Sequence, residues 1–326
     1  MSMYDIIIKN GTIIDGTGKP MFRADIGIKE DTIKSIGTLG HEAAERVIDA
    51  TDCYVTPGFI DINNHSDTYW QVFLDPSLES LLYQGVTTIV GGNCGSSLAP
   101  LVDTSILQSI QKWTDIQKIN LNWLGMEEFL DEMERHKLSV NFATLVGHGT
   151  LRRGLIRNEV RTLRVDESKV EQSMLRKALK DGAWGLSTGL VYAHMRRASR
   201  EELSLLSTAV HKHEGMYAFH LRGESTDLIR SIEEAILVAR TSGVRLHISH
   251  LKAIGKEAWP LMEKVLELID AAVAEGLNIS FDVYPYTHTG SVLYTLLPEW
   301  VTEGGKKMML ERLKDPAIRH EVVREL

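Results

Sequence analysis

Gly243-Val244-Arg245-Leu246-His247-Ile248-Ser249-His250-Leu251-Lys252 is the stretch whose reading decides the fold. An amphipathic helical pattern ends at the glycine, which adopts a left-handed C-cap at little cost. A short apolar strand follows, and polar side chains able to bind protons or metals close it. Outward in both directions the same order recurs. Helical patterns end at Gly85, Gly182, Gly215 and Gly276, and the spacing predicts strands at Val86–Val90, Ala183–Leu186, Met216–Phe219 and Ile279–Val283. Tyr54–Ile60 and Val140–Val146 bring the predicted strands to seven. One helix, from about Arg200 to Lys212, opens with the capping-box pattern Ser199-Arg200-Glu201-Glu202. Repeated βα units imply an α/β fold with a parallel sheet, and a TIM-like (β/α) barrel is the economical closure. A doubly wound sheet is the alternative, but no Gly-rich phosphate loop follows any of these strands. Seven strands are one short of a barrel, so the chain reads as truncated after strand seven.

Before this regime, residues 4–50 pattern as short strands joined by turns such as Asn10-Gly11 and Asp15-Gly16. We therefore expect a small N-terminal β domain over 1–54, part of a β-sandwich, and an incomplete (β/α) barrel over 55–326. The 326 residues are 43% hydrophobic and 25% charged, ordinary for a globular protein that buries a large core. A net charge of −8 repels nucleic acid and anionic membranes alike, which leaves small molecules as the expected partners. Two cysteines, Cys53 and Cys94, do not make a disulfide framework and fit a reducing compartment. The N-terminus lacks a signal-peptide pattern and no apolar run approaches the ~20 residues of a membrane span, so a cytoplasmic location is expected.

Barrel enzymes place their chemistry at the C-terminal ends of strands. Here those ends carry Asn63-Asn64-His65, Gly92-Asn93-Cys94-Gly95, Gly147-His148-Gly149, His220 with Arg222 and Glu224, Ser249-His250-Leu251-Lys252, and Asp282 with Tyr284. Each has a plainer reading: cysteine is among the most buried residue types, and a single histidine often sits hydrogen-bonded in a packed site. A thiolate and two imidazoles at the ends of the second, fifth and sixth strands are a different matter, because such donors converge on a site suited to zinc. His211 and His213 fall on a helix and His247 alternates out of phase with the strand end, so these three are given structural or surface roles. Lys252 beside such a site would hold an anionic substrate terminus. His148, between two glycines that let the backbone approach closely, is a candidate for a contact to the substrate oxyanion or for support of the ligands.

These segments, taken with Pro57-Gly58-Phe59-Ile60-Asp61, Ser187-Thr188-Gly189-Leu190 and Asp282-Val283-Tyr284-Pro285-Tyr286-Thr287, resemble the D-aminoacylase (N-acyl-D-amino-acid deacylase) family of the amidohydrolase superfamily. The resemblance implies a barrel of the amidohydrolase type and zinc-dependent hydrolysis of the amide bond of N-acyl-D-amino acids. It implies one tight zinc on Cys94, His220 and His250, and substrate contacts from Lys252, Tyr192 and Tyr284. A weaker second metal position in that family uses a His-x-His pair. Here the first histidine is Asn63, whose amide oxygen is a poor zinc ligand, leaving His65 as a metal-site imidazole or a substrate contact. The turn after Ser187-Thr188-Gly189-Leu190 reads Tyr192-Ala193-His194-Met195-Arg196 where the family has a Pro-Gly loop, so substrate preference is expected to differ. The family's general-base aspartate follows an eighth strand and would lie beyond Leu326, which predicts little activity for the 326-residue chain. The alternatives are a cyclic amidase like dihydroorotase or hydantoinase, whose carboxylated lysine position reads Leu186-Ser187-Thr188 here, and a non-catalytic metal-binding protein.

Overall fold

The computed structural model describes residues 3–107 and 121–325, and Met1, Ser2 and Leu326, which entered the reading of the chain ends, lie outside them. Two compact units appear, Met1–Phe59 and Ile60–Leu326.

The first unit is a single five-stranded sheet. Its strands are β1 (Tyr4–Ile13), β2 (Phe22–Lys29), β3 (Thr32–Gly37), β4 (Ala44–Asp49) and β5 (Tyr54–Val55), in the order β3-β2-β1-β4 with β5 also on β1. Asn10-Gly11, predicted as a turn between strands, is instead an irregularity inside β1. The register slips between Ile8 and Gly11, and Asn10 takes a φ of 64°. A bulge absorbs the extra residue without ending the pairing. Tyr54–Val55 pairs with β1, so the break between units falls after Phe59, not after residue 54. Among the described residues no second sheet makes this unit a sandwich.

The second unit carries β6 (Phe59–Asp61), β7 (Val86–Gly91), β8 (Asn141–Thr144), β9 (Val146–Gly147), β10 (Gly185–Gly189), β11 (Met216–His220), β12 (Arg245–Ile248) and β13 (Ile279–Phe281). They pair in chain order as β6-β7-β8 and β9-β10-β11-β12-β13. From β7 onward β7 pairs with β8, and β9 to β13 pair in turn, all in parallel. β8 and β9 are one run kinked at Leu145, whose amide donates to Gly91 O at 3.0 Å. β8 pairs with β7 on one edge of the run and β9 with β10 on the other, so seven strand positions form a continuous row.

Helices return the chain between strands, as a parallel sheet requires. Those over Val165–Lys180, Arg200–Lys212, Leu228–Ser242 and Leu261–Ala274 bury Leu175, Leu203, Leu206, Val210, Ile232, Ile236, Val265 and Ile269 against the strands. Each such side chain contributes ~1.5–3 kcal/mol of burial. Gly85, Gly182, Gly243 and Gly276 all hold positive φ, as the C-cap reading predicts. Gly215 does not, because Glu214 takes the left-handed turn at φ 55°. A side chain at 215 would meet Val210 Cγ1 at 2.9 Å, so glycine is needed there for close approach. Among the described residues no helix is long and apolar enough to cross a membrane.

Candidate metal centre

Three of the predicted ligands meet. Cys94 Sγ, His220 Nδ1 and His250 Nε2 lie within 4.8 Å of one another, with 3.1 Å between the two ring nitrogens and 3.7 Å from Sγ to His250 Nε2. Cys94 rides on the turn after β7, His220 ends β11, and His250 follows β12. The turn at Cys94 is tightly specified. Gly92 sits at φ 72°, where any side chain would strike Leu145 O at 2.0 Å. Asn93 Nδ2 donates to Val90 O at 2.7 Å and to Ile62 O at 3.2 Å, tying the turn to the segment after β6. Gly95 N donates to Ser187 Oγ at 2.9 Å. Cys94 itself is held at φ 53°.

The electrostatics suit a cation. Burial opposes ionisation of the Cys94 thiol, yet His220, His250 and His65 together bring its pKa well below the usual thiol value. Burial likewise opposes protonation of His250, but Cys94 and Glu224 raise its pKa to about 9. The cluster thus stores a thiolate beside an imidazolium, and a metal ion would take the proton's place.

Two carboxylates brace the ligand residues, Glu224 at the imidazoles and Asp282 at the His250 backbone. Glu224 Oε1 is 3.2 Å from His250 Nδ1 and 2.5 Å from Lys252 Nζ, and its Oε2 is 3.8 Å from His220 Nε2. Burial favours the acid, but these partners bring the Glu224 carboxyl down to about 2. Asp282 accepts from His250 N at 2.8 Å and from Asn63 Nδ2 at 3.2 Å, and lies 2.7 Å from His247 Nε2. It therefore joins the segment after β6 to the segment after β13, the two ends of the strand row. Glu224 and Arg222 do not pair with each other, because Arg222 is gripped by Glu234 at 2.9 and 3.0 Å. The sequence placed Glu224 and Asp282 at strand ends without assigning either to a particular ligand. The available signal was position: one stands four residues after His220, the other directly after β13.

The remaining candidates divide. His65 Nε2 is 3.8 Å from Cys94 Sγ, at the edge of the cluster and outside its three-atom core, and its buried Nδ1 has no hydrogen-bond partner among the described residues. Tyr192 packs edge-on against His220, 5.1 Å between ring centroids. Lys252 Nζ stands 5.9 Å from the Tyr284 ring centroid and is already engaged by Glu224. These residues line one cavity of about 910 Å³ together with Cys94, His220, His250, Arg196 and Arg222.

His148 is a correction. It is fully buried, with Nδ1 2.9 Å from Thr188 Oγ1 and Nε2 2.8 Å from Glu202 Oε1 and 3.4 Å from Glu171 Oε1. Arg152 also pairs with Glu202. Both ring nitrogens are engaged by Thr188 and by Glu202 and Glu171, and His148 is not among the residues that line the cavity.

Comparison with known proteins comes out consistently. The amidohydrolase family profile matches residues 46–319. The D-aminoacylase of Alcaligenes xylosoxydans xylosoxydans is 33% identical over 290 residues, covering 89% of this chain and 59% of its own length. The N-acyl-D-aspartate deacylase of the same organism is 32% identical, covering 89% and 57%. The crystal structure of N-acyl-D-glutamate deacylase from Bordetella bronchiseptica, complexed with zinc and a phosphonate inhibitor that mimics the tetrahedral intermediate, superposes with a TM-score of 0.78 at 32% identity, covering 87% and 59%. This chain thus spans less than two thirds of the length of each relative.

Proposed function

We propose, because this chain belongs to the amidohydrolase family, that Cys94, His220 and His250 hold one zinc ion for hydrolysis of the amide bond of an N-acyl-D-amino acid. The observation that carries this is the three-atom donor cluster facing a cavity of about 910 Å³. One sulfur and two nitrogens are a donor set that zinc accepts, and three protein ligands leave a position open. Bound there, zinc supplies Lewis-acid polarisation of the acyl carbonyl and acidifies a water.

The chain's own residues do the rest. Glu224 holds the imidazole of His250 at Nδ1 and so presents Nε2 to the metal, as a carboxylate behind a ligating histidine does. Asp282 fixes the His250 backbone. Lys252, paired with Glu224, offers its ammonium to a substrate carboxylate, and Tyr192 and Tyr284 border the substrate. His65 stands where a second cation would bind, but with Asn63 turned toward Asp282 we assign one metal, not two. On this reading the strands β6–β13 belong to the amidohydrolase barrel, and the chain spans less than two thirds of the length of the relatives named above. Hydrolysis is accordingly a proposal for the whole protein.

Metal content tests the site itself. Elemental analysis of the purified chain should give about one zinc per chain, lost in Cys94→Ala and in His250→Ala. A folded chain that takes up no zinc from a zinc buffer would contradict the assignment.

A further inference from the structure

We infer that Arg196 is a receptor for a second carboxylate, so that the preferred substrate is an N-acyl-D-amino acid with an anionic side chain. This rests on the deacylase reading above. Three cationic side chains other than histidine line the cavity: Arg196, Arg222 and Lys252. Two are spoken for. Arg222 is forked onto Glu234 at 2.9 and 3.0 Å and onto backbone carbonyls, and Lys252 sits 2.5 Å from Glu224. The Arg196 guanidinium has no hydrogen-bond or ion-pair partner among the described residues. Glu299 is the one carboxylate whose charge reaches it, and that side chain is held 3.3 Å from Arg197. Partial burial and the charges of Arg222 and Arg197 disfavour a guanidinium left in this state.

A planar fork with its donors unused, in the wall of a cavity, matches a carboxylate in shape as well as in charge. Any N-acyl-amino acid brings one carboxylate, for which Lys252 stands beside His250, 2.9 Å from its Nδ1. A second fixed cation is superfluous for a neutral side chain and useful for an acidic one. Overall identity does not choose between these classes, since the relatives named above for aminoacyl, aspartate and glutamate substrates are all 32–33% identical. Arg196 does choose. It lies in the turn Tyr192-Ala193-His194-Met195-Arg196, whose first residue packs on the ligand His220, so the backbone that carries the fork is anchored beside the candidate metal centre.

The test is calorimetric titration of the zinc-loaded 326-residue chain with N-acetyl-D-glutamate and with N-acetyl-D-leucine, on the parent and on Arg196→Gln and Arg196→Lys. The parent should bind the glutamate derivative at least about 10-fold more tightly. Arg196→Gln should remove about 10-fold or more of that affinity while moving the leucine derivative less than about 2-fold, and Arg196→Lys should restore part of the loss. Equal losses for both ligands, or a parent that prefers leucine, would overturn the inference and leave the deacylase reading standing. If the zinc-loaded chain binds neither, the deacylase reading fails and this inference with it.

Discussion

Two histidine-centred clusters lie in the same unit, and both bring three candidate metal ligands within 4.8 Å. In one, Cys94, His220 and His250 face the cavity. In the other, His148, Glu171 and Glu202 are sealed from solvent. The difference lies in what already balances the charge. The sealed cluster contains Arg152, so two carboxylates meet one permanent cation and an imidazole. Burial opposes charge on His148, but Glu171 and Glu202 raise its pKa, while burial pushes Glu171 up toward the neutral acid. Protons and a guanidinium balance the charge of that group without any ion, although both Glu171 oxygens and Glu202 Oε2 have no hydrogen-bond partner among the described residues. The open cluster balances its thiolate only with a displaceable proton on His250, whose place a cation entering from the cavity can take. Proximity of ligands therefore does not define a metal site; access and a soft donor balanced only by a proton do.

The comparison breaks most sharply at Glu202. Glu202→Ala leaves Arg152 and His148 buried without their acid and should destabilise the fold by ~3–5 kcal/mol in denaturant titration, with zinc stoichiometry unchanged in the folded fraction. A change in stoichiometry would move the metal to the sealed cluster. Next in size is Cys94→Ala, which should cost ~3 kcal/mol or more of zinc binding, hundreds-fold in a competitive chelator titration, while changing metal-free stability much less. Glu224→Gln keeps the shape but not the charge behind His250, and should weaken zinc roughly 10- to 100-fold with the donor set intact; an unchanged affinity would show that the carboxylate does not steady the ligand.

The smallest effect, taken per pH unit, is a pH dependence beside the sealed cluster. Burial first, then Arg153 and Arg152, hold the His194 imidazole down to about 3. The unfolded chain takes up a proton near pH 6.5 that the folded chain refuses, so this contribution is intact above 6.5 and is lost as pH falls toward 3. Stability should decline with a slope of up to ~1.4 kcal/mol per pH unit in that window, and His194→Gln should remove that share. An identical acid slope in the variant would mean that the imidazole is solvated.

The same pair of clusters explains what was legible in the sequence. Cys94, His220 and His250 could be read because each follows a strand in a repeating unit, and repetition turns position along the chain into position in space. His148 also follows a strand, and the same logic misassigned it. Its partners Glu171 and Glu202 come from helices, where a glutamate ordinarily reads as a solvent face. Glu202 was doubly disguised. The pattern Ser199-Arg200-Glu201-Glu202 predicts a capping box, and Ser199 Oγ does accept from Glu202 N at 3.2 Å, but the Glu202 side chain turns inward to His148 instead of back to the cap. Ser187 and Thr188 shifted β10 from 183–186 to Gly185–Gly189 for a similar reason. They read as polar loop, yet both are buried, one hydrogen-bonded to the Cys94 turn and the other beside His148. Buried polar residues carry no period, so their partners become visible only when the chain is folded.

The claim that the open cluster, and not the sealed one, holds the metal can be tested directly by zinc-edge X-ray absorption on the chain loaded with one equivalent of zinc. One sulfur scatterer at ~2.3 Å with two imidazole nitrogens at ~2.0–2.1 Å is the predicted first coordination sphere. A shell of nitrogen and oxygen alone would place the ion away from Cys94 and contradict the account.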